Sequence, residues 1–202
     1  MKLQFPLYVL RHGETLWNID RRMQGTKNSD LTERGRAQAE AMGRALKAEL
    51  ARAPEPTIFL RSPLGRTRET ASIVGRELGI ADSAWRDDAR LVELSYGAWE
   101  GSSWKEIEVH TPNAMAEWRA DPEGFCPPGG ETHFQLRRRT EAALADIVAA
   151  SVRSVVIGHG VSGAVMRGIN LGLDARAMFV LEKPQDAFFR LTAGAEERIA
   201  CG

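Results

Sequence analysis

Three apolar runs in this 202-residue chain stop at the same kind of residue, and that repetition constrains the fold more than any other feature. Phe5-Pro6-Leu7-Tyr8-Val9-Leu10 runs into Arg11-His12-Gly13. Thr57-Ile58-Phe59-Leu60 runs into Arg61-Ser62-Pro63, with Arg66 just beyond. Residues 152–157 run into Gly158-His159-Gly160. Short apolar runs closed by polar residues and glycine read as buried strands. The stretches between them have helical spacing. Ala41, Met42, Ala45, Leu46 and Leu50 follow the N-cap candidate Thr32, and a second helix over 64–78 closes at Gly79. Leu136, Thr140, Ala143, Leu144, Ile147 and Val148 stripe a helix that starts near Glu131, and a further helix reaches about Leu171. A hairpin near 188–191 and Ile199 ends the chain. This alternation predicts an α/β fold, a three-layer α/β/α sandwich with a mostly parallel central sheet.

Residues 81–130 break the rhythm. Trp85, Trp99, Trp104 and Trp118 fall there among Pro112, Pro122, Pro127 and Pro128. The expectation is a single domain over residues 1–202, with short helices in a lid-like insertion at about 95–130.

Composition narrows the partners. Lys and Arg number 27, Asp and Glu 27, so the formal net charge is zero. No global basic field exists to hold nucleic acid or an anionic membrane, and any anion affinity must be local. No apolar run approaches the length that spans a bilayer, and the apolar stretch before Arg11-His12 lacks the small-residue cleavage site of a signal peptide. Cys126 and Cys201 show no pairing pattern, which fits a reduced, cytoplasmic protein.

In open α/β sheets, ligands gather outside the carboxyl ends of the strands. Several cations meeting there, beside helix N-termini with glycine-exposed amides, make a site for a phosphate group. Phosphoryl transfer requires an in-line nucleophile, donors around the equatorial oxygens and an acid for the leaving alcohol. A neutral imidazole is a competent nucleophile if its other nitrogen donates to a fixed acceptor, for His12 a backbone carbonyl in the Gly13 turn. The residues alone leave His12 and His159 both eligible. Arg11 and Arg66 supply forked, permanently charged donors, and His159, if protonated, a third positive group. Glu93 is the candidate acid, with an apolar lid expected to raise its pKa.

Leu10-Arg11-His12-Gly13-Glu14-Thr15 resembles the signature of the histidine phosphatase superfamily, the phosphoglycerate mutase-like fold. The likeness continues through Asn18, Gln24-Gly25, Leu31-Thr32, Gly35, Ser62-Pro63-Leu64, Arg66, Thr70-Ala71, Glu93, Gly97, Glu100-Gly101, Gly129-Gly130-Glu131-Thr132 and Gly158-His159-Gly160. It implies that His12 is phosphorylated, that Arg11, Arg66 and His159 hold the phosphoryl group, and that Asn18 and the backbone at Gly160 add contacts. It further implies Glu93 as proton donor and Gln24-Gly25 at the substrate mouth, with no metal and no cofactor. Two departures stand out. Lys183-Pro184-Gln185-Asp186 occupies a place where the family often has an Asn-containing strand start, and Arg61 stands where a small hydroxyl residue is usual.

Other features read as structural. His110 and His133 take the default of packed histidines, the tryptophans that of lid packing, and Arg137-Arg138-Arg139 that of a partly solvated helix face. Residues 25–29 lack the spacing of a phosphate loop. The expected function is metal-independent hydrolysis of a small phosphorylated metabolite through a phosphohistidine, releasing inorganic phosphate. The alternative within the same chemistry is a phosphoglycerate mutase, disfavoured by the short stretch from Glu93 to His159. The alternative outside it is a non-catalytic phosphoanion-binding regulatory protein. The physiological ester is not legible in the sequence, and the oligomeric state, a homo-oligomer included, stays open.

Overall fold

The computed structural model describes residues 2–202. In chain order it contains β1 (Leu7–Arg11), α1 (Leu16–Ile19), α2 (Glu33–Ala51), β2 (Thr57–Arg61), α3 (Gly65–Leu78), β3 (Trp85–Asp87), α4 (Trp104–His110), α5 (Ala114–Ala120), α6 (His133–Ala150), β4 (Arg153–Gly158), α7 (Gly160–Leu171), α8 (Ala175–Val180), β5 (Ala187–Thr192) and β6 (Ala195–Ala200). The strands form one six-stranded sheet in the order β3-β2-β4-β1-β5-β6. Its first four members are parallel, and β5 and β6 add antiparallel at the far edge.

Strand periodicity explains the layers. Tyr8 and Leu10 of β1, Val155 and Ile157 of β4 and Phe188 of β5 point to one face, where they meet Ala39, Met42 and Leu46 of α2 and Ala71 and Val74 of α3. Leu7, Val9, Val156, Phe189 and Leu191 point to the other, against Ala143, Leu144 and Ile147 of α6 and Met166 of α7. Both faces are therefore covered, as a mainly parallel sheet requires. Every residue of β4 is buried because it lies between β2 and β1.

Helix ends follow local chemistry. Thr32 caps α2 by accepting from the Gly35 amide, Thr132 and Gln135 form a capping box on α6, and Gly79 ends α3 at φ 77°. The first strand begins at Leu7 rather than Phe5. Pro6 has no N–H to give the ladder, although its carbonyl still accepts from the Ser154 amide. The edge strand β3, only three residues long, falls where an irregular segment was expected. Arg61 explains its seat: the guanidinium ties β2 to Asp87 of β3 at 2.7 Å and to Asp82 at 2.6 Å.

Candidate active site

The site begins with sheet register. β1 and β4 are neighbouring parallel strands with Arg11 opposite Gly158, so the residues that follow them emerge side by side. The His12 amide continues the ladder to the Gly158 carbonyl, and on the other flank the Ser62 amide donates to the Ile157 carbonyl. His12 and His159, far apart in sequence, thereby stand with ring centroids 5.3 Å apart at an interplanar angle of 63°. Gly13 leaves the strand end in close contact with the start of α2. A Cβ there would lie 2.2 Å from the Gly35 carbonyl oxygen.

His12 is buried, and its Nδ1 lies 2.8 Å from the Gly13 carbonyl, an acceptor only, so Nδ1 carries the proton. The lone pair is then on Nε2. Burial first, then the positive charges of Arg11 and Arg66, hold this imidazole well below its ordinary pKa, and it is neutral at physiological pH. His159 is neutral for similar reasons, with burial the largest cause and Arg66 next. Both its nitrogens are engaged within the protein. Nδ1 accepts from Arg66 Nε at 3.2 Å, which puts the proton on Nε2 and directs it to Ser62 Oγ at 2.8 Å.

Arg66, in the first turn of α3, is 1% exposed. Its terminal nitrogens donate to the carbonyls of Lys27 (2.6 Å) and Gly25 (2.7 Å). A guanidinium has five N–H groups, so two remain after these three bonds. Burial lowers its pKa to about 10, and it stays charged at neutral pH. Arg11 donates to the Lys183 carbonyl, and its buried Nε has no partner among the described residues. Gln185 bonds the His12 carbonyl and Asn18 Oδ1, both at 3.1 Å. The divergent 183–186 segment thus forms the rear wall by its own means.

Glu93 departs from expectation. In place of an apolar lid, its carboxylate meets amides, those of Val161 and Ser162 in the first turn of α7 and of Leu94, all at 2.9 Å. The negative charge lies on the positive end of α7. Two of that helix's first amides are used in this way, and the Gly160 N–H is left over beside Arg11. Arg139 is half-buried on the partly solvated face of α6 and does more than face solvent: it pairs with Glu131 at 2.7 Å and donates to the carbonyls of Arg90, Val92 and Glu93, clamping the stretch of chain that bears Glu93. Its place three residues after Leu136 and four before Ala143, on the buried stripe of α6, was the available signal.

Asn18 Oδ1 is saturated by the Thr15 amide and Gln185, which leaves its NH2 as donor. Gln24 donates to Thr15 Oγ1 at 2.8 Å. Gly25 sits at φ +53°, and a Cβ would meet Glu100 Oε1 at 2.1 Å, the carboxylate that gathers the amides of Thr26, Lys27 and Tyr96. Arg11, His12, Asn18, Gln24, Gly25, Arg66, Glu93 and Gly160 share the walls of one cavity of about 150 Å3. His159 lies just behind that wall. Arg22, Met23, Tyr96, Val161 and Lys183 complete the lining, and of these only Lys183 lies in a segment the sequence analysis singled out.

One buried and one half-buried guanidinium, an amide and a neutral imidazole with an open lone pair make an arrangement able to hold an oxyanion. Residues 7–197 match the histidine phosphatase superfamily (branch 1), and the chain belongs to that family. Among its relatives is the glucosyl-3-phosphoglycerate phosphatase of Mycobacterium tuberculosis, 35% identical over 144 residues, which are 71% of this chain and 60% of that protein. The "Probable phosphoglycerate mutase GpmB" of Yersinia pestis is 36% identical over 177 residues, 85% of this chain and 77% of that one. A mycobacterial glucosyl-3-phosphoglycerate phosphatase solved in complex with VO3 superposes with a TM-score of 0.80 at 27% identity, covering 97% of this chain and 98% of that one.

Proposed function

We propose that the protein hydrolyses a small phosphate monoester through a phosphohistidine on His12, without a metal. The observation that carries this reading is the Nδ1–Gly13 bond, which leaves the Nε2 lone pair open beside Arg11, Arg66 and the Gly160 amide. Nε2 attacks phosphorus, the bond from phosphorus to the ester oxygen breaks, and its electron pair leaves on that oxygen. Glu93, entering the step as the carboxylic acid, delivers the proton that makes it an alcohol and is left as the carboxylate held by the α7 amides. In the second half, Glu93 takes a proton from water as the water oxygen displaces Nε2, giving inorganic phosphate and the free imidazole. Arg11 and the two spare N–H groups of Arg66 hold the equatorial oxygens. His159 Nε2 reaches a phosphoryl oxygen by exchanging its Ser62 partner.

The named relatives include both a phosphatase and a mutase, and the two differ only in what receives the phosphoryl group. The short stretch of chain from Glu93 to His159 favours water as the acceptor.

Turnover of 4-nitrophenyl phosphate quenched in alkali tests the reading. The expected result is an alkali-stable, acid-labile phosphoryl group on His12. With 3-phosphoglycerate plus 2,3-bisphosphoglycerate, free phosphate is expected to outpace 2-phosphoglycerate, and the reverse makes the protein a mutase. Phosphate binding with no turnover of any ester supports the regulatory alternative.

A further inference from the structure

A second cavity, of about 260 Å3, adjoins the phosphate pocket, with Met23 and Tyr96 lining both. Trp99, Trp104, Trp118, Phe125 and Phe179 supply much of its wall. His133 also stands there, buried, with neither ring nitrogen partnered among the described residues. The two regions meet at segment 95–101, which carries Tyr96 and Trp99, and there the Glu100 carboxylate is buried.

Glu100 spends both carboxylate oxygens on the protein. Oε1 accepts the amides of Thr26 at 2.9 Å and Tyr96 at 3.1 Å and the Ser95 hydroxyl at 3.3 Å. Oε2 accepts the Lys27 amide at 3.2 Å and the Thr26 hydroxyl at 2.9 Å. The Glu100 main-chain carbonyl takes the Lys27 ammonium at 3.0 Å. Thr26 and Lys27 are exposed, so hydrogen bonds rather than core packing hold them, chiefly those to Glu100.

The carbonyls of this same turn aim Arg66. Gly25 O accepts from one terminal nitrogen of the guanidinium at 2.7 Å and Lys27 O from the other at 2.6 Å, while His159 Nδ1 takes Nε–H. Asn28 Oδ1 accepts the Arg66 amide at 2.8 Å. A guanidinium is planar, so these three bonds also fix the direction of its two remaining N–H groups. The Glu100 charge counters in part the burial that lowers the Arg66 pKa.

We propose that Glu100 is a positioning residue for phosphoryl transfer: by locking the turn of residues 25–27 it sets the direction in which Arg66 presents its two spare N–H groups. Glu100 is not among the residues that line the phosphate pocket, so it acts through Arg66. The inference rests on the phosphatase reading and adds to it a residue that substrate does not touch.

A double-mutant cycle on 4-nitrophenyl phosphate tests this. Glu100→Gln keeps the shape and removes the charge and one acceptor. It is expected to lower kcat roughly 10- to 100-fold, the cost of misplacing a catalytic group by about 1 Å, with KM changed by less than about threefold. In an Arg66→Lys background no fork remains to aim, and the same substitution is expected to change kcat by less than about threefold. The melting temperature falls in both backgrounds, so lost stability does not produce that difference. Orthovanadate affinity, measured by calorimetry, is expected to follow kcat and carries the cycle if Arg66→Lys turns over too slowly to follow.

Equal fold losses in both backgrounds make the role merely structural and overturn the inference, as does a Glu100→Gln protein that keeps wild-type kcat. Should Glu100→Gln not fold, Thr26→Val at its exposed site removes one hydroxyl from the carboxylate. Its expected loss in kcat is roughly two- to fivefold, the worth of one modest hydrogen bond, and disappears in Arg66→Lys. An unchanged kcat in that variant overturns the inference equally and leaves the phosphatase standing. Wild-type protein with no turnover of 4-nitrophenyl phosphate removes the phosphatase reading and the inference with it.

Discussion

The phosphate pocket and the aromatic cavity touch along Met23 and Tyr96 but are held together by opposite means. The pocket is polar, and its groups come from strand ends and helix starts that the sheet register places. His12 follows β1, Ser62 follows β2, His159 follows β4, and backbone bonds to Gly158 and Ile157 lock all three strand ends. The cavity has no such frame. Its walls come from the seven-residue helices α4 and α5, from turns and from single residues of α6 and α8, and aromatic packing such as Trp99 on Trp104 at 5.9 Å and on Phe125 at 5.6 Å keeps them in place. Groups that must keep sub-ångström positions are held best on rigid elements, whereas short helices and turns repack more easily.

That contrast can be broken from either side. His12→Ala is expected to lower kcat/KM for 4-nitrophenyl phosphate by at least about 10^4-fold, as loss of a covalent nucleophile does, with an unchanged melting profile. Residual activity within tenfold of wild type would remove His12 from the chemistry. Trp99→Ala strikes the other region. It is expected to destabilise the protein by about 3–5 kcal/mol in denaturant titrations, the usual loss for a large buried aromatic, while bound phosphate still protects the protein against melting.

A third prediction concerns acid. The imidazole of an unfolded chain titrates near pH 6.5, and those of His12, His159 and His133 are all lowered in the fold, His133 to about 4. Between the folded and unfolded values only the unfolded chain takes up protons, so stability rises with pH through that window and is flat, as far as these groups go, above about 6.5. Melting temperatures measured from pH 7 to pH 4.5 are expected to fall, and to fall less in His133→Leu. An identical slope in both proteins would show that His133 is not held neutral. The smallest effect separates neighbours in the arginine run. Arg138 is exposed, and Arg138→Ala should change stability by less than about 0.5 kcal/mol. Arg139→Ala, by freeing the chain that carries Glu93, should cost catalysis on alkyl esters as well as stability.

Much of the pocket was legible because its determinants are local. A strand that ends in Arg11-His12-Gly13 carries its candidate site residues with it, and Thr32, Gly79 and Thr132 mark helix boundaries by their own side-chain or backbone chemistry. Arg61 was opaque for the opposite reason. Its partners Asp82 and Asp87 are brought to it by a three-residue strand too short to show a period. Glu93 lines the cavity, but its environment was not legible, since only the packed fold shows that α7 amides, not an apolar lid, surround its carboxylate.

By itself, the amino-acid order determined the α/β alternation, the helix ends and the placing of cations and imidazoles after strands, all of which depend on neighbours within a few positions. Tertiary structure alone decided that two distant histidines stand 5.3 Å apart, which nitrogen of His159 carries the proton, and that an aromatic chamber with an unmatched imidazole adjoins the anion site. Those properties depend on acceptors and walls supplied by remote segments, and sheet register and side-chain packing bring such segments together only in the folded chain.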